Sequence, residues 1–307
     1  MITYLKNDRG YKVIDNWEPG AWINVECPTE EEIALLIAKY NIPQEFITDI
    51  ADVDERPRSE VDDDWQYLII RVPHYSEEGA PFITAPLGVI FTNDVVLTLC
   101  YFQTQMLVDF ISHSQRKNIS VQSNFDFIMR LFLSSSVWFL KYLKYINNQI
   151  QDAEIELERS IKNQELKSLM KIEKSLVYFI TSLRGNGILF SRIKNLKFSK
   201  DFYDEDLFED ADIELRQAIE TANIHSDILG GMMDNYASLI SNNLNVVMKQ
   251  LTAISIILML PTLVASIFGM NLTSHLETNP DAFMYIIGGS FIISILGVVL
   301  FKSRDWF

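Results

Sequence analysis

The sequence predicts an α+β membrane protein. An N-terminal α/β domain is followed by a long helical hairpin, then by a very long stalk helix that continues into the first of two transmembrane helices. Three observations lead there. Leu251–Met270 and Ala282–Phe301 carry no charge, and each matches the roughly 20 apolar residues that cross a hydrocarbon core. The net charge is -15, yet nearly all the acid precedes residue 240, so an acidic globular part precedes an apolar end. From Asp204 no proline interrupts the chain until Pro261, which leaves room for one helix running from the globular part into the membrane.

The elements follow in order. Short apolar or β-branched runs at Ala21–Val25, Tyr67–Val72, Gly88–Thr92 and Val95–Cys100 predict strands. Asn93-Asp94 between the last two predicts a hairpin turn. Thr29 with Glu32 forms a capping box ahead of Ile33, Leu36 and Ile37 on one helix face. A second short helix is expected over Gln44–Ala51. Helical patterning runs from Ser123 to Ser160, breaks near Asn163 and resumes toward Arg192, with Gly185 and Gly187 weakening its later half. These two helices predict an antiparallel hairpin projecting from the domain. The third helix opens on Asp204, Glu205, Asp206, Glu209, Asp210, Asp212 and Glu214, a run partly explained by the helix dipole. The expected partition is 1–122 for the cytoplasmic α/β domain, 123–203 for the hairpin and 204–250 for the stalk. The first span (251–270), an external loop (271–281), the second span (282–301) and a cytoplasmic tail (302–307) complete it.

Composition narrows the function. An acidic chain lacks the basic face that nucleic acid requires, and it suits cationic ligands. Cys27 and Cys100 stand far apart with no CxxC, so neither a zinc site nor a disulfide framework is expected. His74, His113, His225 and His275 form no metal-ligand spacing. There is no GxSxG elbow and no phosphate-binding glycine loop. An enzyme, a nucleotide partner and an organic cofactor are therefore not expected, and Asp62-Asp63-Asp64 reads as an acidic surface turn. The charged amino terminus lacks the apolar core of a signal peptide.

Lys249 precedes the first span, Lys302 and Arg304 follow the second, and 271–281 contains no Lys or Arg. By the positive-inside rule both termini are expected in the cytoplasm of a multi-pass inner (cell) membrane protein. Two spans cannot enclose an ion path, so a conducting protein needs several copies around an axis. Asp234, Ser238, Ser241, Asn245, Met248, Thr252, Ser255, Met259, Thr262 and Ser266 recur at alternating spacings of four and three, one stripe on a helix. Such a stripe suits a pore lining, because hydroxyls in a bilayer seek neighbours or water; small residues also serve simple helix packing. The second span offers Ser290, Ser294, Gly288, Gly289 and Gly297, better suited to close packing.

At the outer end of the first span stands Gly269-Met270-Asn271. Upstream are Asn245-Val246-Val247-Met248-Lys249-Gln250-Leu251-Thr252, then Leu260-Pro261-Thr262 and Ile267-Phe268. This combination resembles the CorA family of magnesium transport proteins. The resemblance implies a homopentameric funnel and a passive, potential-driven Mg²⁺ channel in the lipid bilayer, with Co²⁺ or Ni²⁺ as further cargo. Gly269, Met270 and Asn271 would form its selectivity filter, where neutral amides engage a hydrated ion. Asn245, Met248, Leu251 and Met259 match family pore positions, and Asp234 a pore-facing acid. Asp49 and Asp210 match acids that hold regulatory Mg²⁺ between subunits and close the pore. The sequence departs from the family after Asn271, where Glu277 and Asp281 stand as external-loop acids, and at Thr48, where a second acid is usual. The rival readings are a Zn²⁺ transporter of the ZntB type, which usually replaces the residue at Met270, and a non-conducting membrane sensor.

Overall fold

The computed structural model describes residues 1–62, 64–77, 79–159, 163–193, 204–270, 281–304 and 306. It contains two compact units, Met1–Gly230 and Gly231–Phe307. The first begins with strands β1 (Ile2–Asn7), β2 (Tyr11–Ile14) and β3 (Trp22–Glu26), then helices α1 (Glu30–Tyr40) and α2 (Gln44–Ala51). Strands β4 (Arg58–Asp62), β5 (Trp65–Tyr75), β6 (Phe82–Phe91) and β7 (Val96–Cys100) complete one sheet in the order β2-β1-β3-β7-β6-β5-β4. Among the described strands only the β3–β7 pairing is parallel. Helices α3 (Gln105–Arg116), α4 (Asn124–Arg159) and α5 (Asn163–Ile193) follow, then α6 (Glu205–Phe268) and α7 (Ala282–Ser303).

Local chemistry explains the early elements. Thr29 accepts the Glu32 N–H and Glu32 accepts the Thr29 N–H, so α1 starts on the expected capping box. The turn between β6 and β7 is held by the Thr92 hydroxyl, which accepts the N–H groups of Asp94 and Val95. Helices cover both sheet faces. Ile50, Phe46 and Ile47 of α2 pack over Tyr67, Ile69 and Ile90, while α4 and α5 lie against β5 and β6. Two-sided burial makes β5 and β6 apolar at consecutive positions rather than alternately. Gly88 is required by that layer, since a Cβ there would lie 2.1 Å from Ile50 Cδ1.

Four elements carry no signal in the sequence reading: β1, β2, β4 and α3. Strand β6 also starts six residues before the predicted Gly88, because Pro86 conceals its first half. The hairpin helices form as expected, but their sheet-side halves belong to the core: Phe125, Phe132 and Phe139 of α4 and Phe179 and Phe190 of α5 are fully buried.

Gly185 and Gly187 do not break α5, and the reason is local. A Cβ at Gly185 would stand 2.9 Å from Pro57 Cγ, so the glycine permits a close approach to the sheet edge. Between them, buried Asn186 meets the backbone of Arg71. Its carboxamide accepts the Arg71 N–H at 2.9 Å and donates to the Arg71 carbonyl at 2.8 Å. Arg71 lies opposite Pro86, which has no N–H, and beyond the last β4 pair, Arg58 with Ile69. Asn186 thus supplies bonds that the ladder does not. The buried Arg71 guanidinium reaches the carbonyls of Val53, Glu55 and Thr84. It thereby ties the 52–57 loop to the sheet, and burial pushes its pKa down.

Replacing Asn186 by Ala leaves the buried Arg71 N–H unpaired and its carbonyl with only the Ser135 hydroxyl at 3.5 Å, a loss of about 2 kcal/mol. We expect the thermal midpoint of the purified full chain to fall by several degrees. An unchanged midpoint by differential scanning fluorimetry would show that the two bonds contribute nothing.

Candidate functional site

Helices α6 and α7 are each long and apolar enough to cross a membrane, and almost none of either apolar window is buried within the chain. Leu258, Met259, Phe283, Met284 and Phe291 are each at least 65% exposed. Soluble monomers rarely leave contiguous apolar patches beyond a few hundred Å², so lipid or further copies must cover this surface. Pro261 lies inside α6 without ending it.

Which face of α6 meets α7 follows from burial. Ala253 is fully buried, and Ile257, Leu260 and Val264 are half-buried, while the remaining apolar positions of this span stand largely open. Gly297 of α7 sits against Ile257 and Leu260, where a Cβ would make contacts of 3.5 and 3.9 Å. The α7 side of the seam is Ile286, Ser290, Ser294 and Gly297, less exposed than their neighbours and spaced at three and four. Ser255, Met259, Thr262 and Ser266 each lie two residues beyond a seam residue of α6, about 200° around the helix. The stripe of the first span therefore faces away from α7. Asp234, Ser241, Asn245, Met248, Leu251 and Thr252 are exposed as well.

The hydroxyls of the stripe are less demanding of water than the sequence implies. Thr252, Ser255 and Thr262 donate their hydroxyls to the carbonyls of Met248, Leu251 and Leu258, at 2.8, 2.8 and 3.0 Å. These donors are satisfied within the helix, so they do not by themselves demand water or a neighbouring chain. The position of the stripe opposite the seam carries the inference instead. At its outer end α6 stops at Phe268, and Gly269 forms a turn in which its N–H meets the Ala265 carbonyl at 2.9 Å. Met270 is exposed. Asn271 and Glu277 lie outside the described residues; Asp281 occupies the N-cap position of α7.

In the first unit, Asp49 and Asp210 lie on α2 and α6. Asp210 is exposed, and nearby Asp204 caps the helix by accepting the Leu207 N–H at 3.1 Å, so part of the acidic run is structural. Asp49 is not a plain solvated charge. Its Oδ2 meets Arg58 Nη2 at 2.6 Å and accepts the Tyr67 hydroxyl at 3.3 Å. Arg58 also pairs with Glu55, and through Nε with Glu60 at 2.8 Å. Tyr67 stacks on Phe46, with ring centroids 4.3 Å apart. Burial first, then the Asp49 charge, pushes the Tyr67 phenol up, so it stays a donor. The sequence reading missed Arg58 and Tyr67. Their only signal was position, on β4 and β5, nine and 18 residues beyond Asp49.

The sequence profile described as CorA-like Mg²⁺ transporter protein matches residues 18–303. The chain belongs to the CorA family. It is 24% identical over 292 residues to the cobalt/magnesium transport protein CorA of Methanocaldococcus jannaschii, covering 93% of this chain and 90% of that protein. The complete structure of the CorA magnesium transporter from the same organism superposes with a TM-score of 0.86 at 23% identity, covering 100% of this chain and 99% of that one. The ZntB cytoplasmic domain from Vibrio parahaemolyticus matches less well, at a TM-score of 0.61 and 10% identity over 78% of this chain and 98% of that one. The CorA fold thus extends over both units, with the two membrane helices included.

The seam makes a prediction. In a Cys27→Ser background, which removes the exposed native thiol and leaves buried Cys100, Ser255→Cys and Thr262→Cys should react with a small charged thiol reagent in membranes. Ala253→Cys should not. Protection at all three positions would mean that lipid, not water, covers the stripe.

Proposed function

We propose that this chain is a homopentameric, passive channel for divalent cations, Mg²⁺ foremost and Co²⁺ or Ni²⁺ as further cargo. The single observation that supports it most is the polar stripe of α6 opposite the α7 seam. Copies arranged around an axis would each present that stripe to a common path, with α7 outside toward lipid. The proposed partition keeps residues 1–250 and the tail 302–307 in the cytoplasm and 271–281 outside, with the protein in the inner membrane.

In this reading Asp234 gathers cations at the inner entrance. Asn245, Met248, Leu251 and Met259 line a neck whose apolar rungs gate by dewetting. Ser241, Thr252, Ser255, Thr262 and Ser266 offer hydroxyl oxygens between the rungs. At the outer mouth Gly269, Met270 and Asn271 form the filter, with Glu277 and Asp281 as nearby acid. Mg²⁺ gives up its water reluctantly, so amide oxygens that bond the hydration shell admit it without binding it tightly. A membrane potential of 100 mV supplies about 4.6 kcal/mol to an entering divalent ion, so influx needs no nucleotide.

Closure is assigned to cytoplasmic Mg²⁺ held between subunits by Asp49 and Asp210. The donors are oxygen-only, as a hard cation requires. Asp49 accepts both Arg58 and Tyr67 on one oxygen, Oδ2, so a hydrated ion would approach through Oδ1. Among the described residues of one chain, no three His, Cys, Asp or Glu residues gather as a metal-holding group, so water or another copy completes the shell. Loss of the ion would release the subunits from their closed arrangement.

The test is Mg²⁺ uptake into proteoliposomes at a negative internal potential. Asn271→Ala should reduce flux at least tenfold while the oligomer persists on gel filtration. Equal flux would remove Asn271 from the filter. Zn²⁺ flux in place of Mg²⁺ flux would favour the ZntB-type reading.

A further inference from the structure

We propose that Arg58 competes with the regulatory cation: its guanidinium occupies the Asp49 carboxylate and sets the Mg²⁺ concentration at which that site fills. This inference rests on the reading of Asp49 as a regulatory Mg²⁺ ligand.

The geometry carries it. One guanidinium serves three carboxylates, with Nη2 on Asp49 at 2.6 Å, Nε near Glu60 at 2.8 Å and Nη1 on Glu55. The cluster of four therefore keeps a formal excess of two negative charges, which favours a dication over further monovalent charge. A divalent ion on Asp49 Oδ1 would share its carboxylate with the guanidinium on Oδ2, and like charges that close repel. Filling the site therefore requires Arg58 to release Asp49. That release is undemanding. Arg58 extends from the edge strand β4, its side chain is 34% exposed, and Glu55 and Glu60 can still hold it. Asp49 would meanwhile keep the Tyr67 hydroxyl, which holds its orientation. The apparent Mg²⁺ affinity is then the intrinsic affinity reduced by the fraction of time in which Asp49 is free of Arg58. For a third-exposed pair this is a factor of about five.

The experiment uses the full-length protein in detergent, with the thermal midpoint followed against added MgCl₂, a readout independent of transport. Arg58→Gln should bring the half-maximal Mg²⁺ concentration down about fivefold. Arg58→Lys, a point charge without the fork, should give an intermediate value, and it carries the test alone if Arg58→Gln does not assemble. Unchanged or raised values in these variants would overturn the proposal and make Arg58 a positioning residue for Asp49. Asp49→Asn should abolish the Mg²⁺ response with either residue at 58. A response that survives Asp49→Asn would overturn the regulatory reading of Asp49, and the competition with it.

Discussion

Helix α7 pairs with one side of α6, Gly297 against Ile257 and Leu260 with Ala253 buried on the same face, and the functional reading depends on that seam. A bilayer supplies no hydrogen-bond partners, so each span must satisfy its own backbone. Two helices so paired still leave most of their apolar surface open, which lipid or other copies must cover. The seam also decides what the open surface means. It places the methionine, serine and threonine stripe away from α7, where a symmetric assembly would gather one copy of it per subunit. The small residues of α7 act in the same direction, since Gly297 lets α6 approach and Ser290 turns its hydroxyl back to the Ile286 carbonyl at 2.8 Å.

The first unit handles charge differently. Among the described residues, its acid is neither evenly solvated nor gathered into a preformed metal cage. Asp204 caps α6, Asp126 is nearly buried against Arg130 at 2.6 Å, and Asp49 is shared between an arginine and a buried tyrosine. Arg71 holds the 52–57 loop by two carbonyls, those of Val53 and Glu55, and that loop joins α2, which carries Asp49, to β4, which carries Arg58. Through that loop the sheet holds both elements that carry the Asp49–Arg58 pair. In the proposed regulation, a cation would meet a carboxylate that Tyr67 already orients and Arg58 partly neutralises.

Much of this was legible in the sequence because strong patterns are local. The capping box at Thr29, the uncharged runs and the proline-free stretch from Asp204 each specify an element without reference to the rest of the chain. The failures share a cause as well. Strand β4 is short, charged and at an edge, so no apolar alternation marks it. Pro86 argues against a strand unless Asn186, a hundred residues later, is known to bond the backbone opposite. The stripe could be counted along the chain, but the side on which α7 lies could not, since that depends on tertiary packing. Arg58 was invisible as a partner of Asp49 for the same reason: a separation of nine residues says nothing about which carboxylate a guanidinium meets.

The proposed pore requires the stripe of α6 to face the equivalent stripe of other copies. Oxidative cross-linking in native membranes tests it most directly, with Met259→Cys and, as the outward control, Phe291→Cys on α7, each in a Cys27→Ser background. Disulfide-linked dimers at Met259→Cys and none at Phe291→Cys are the predicted result. Dimers only at Phe291→Cys would place α7 inside the assembly and contradict the account.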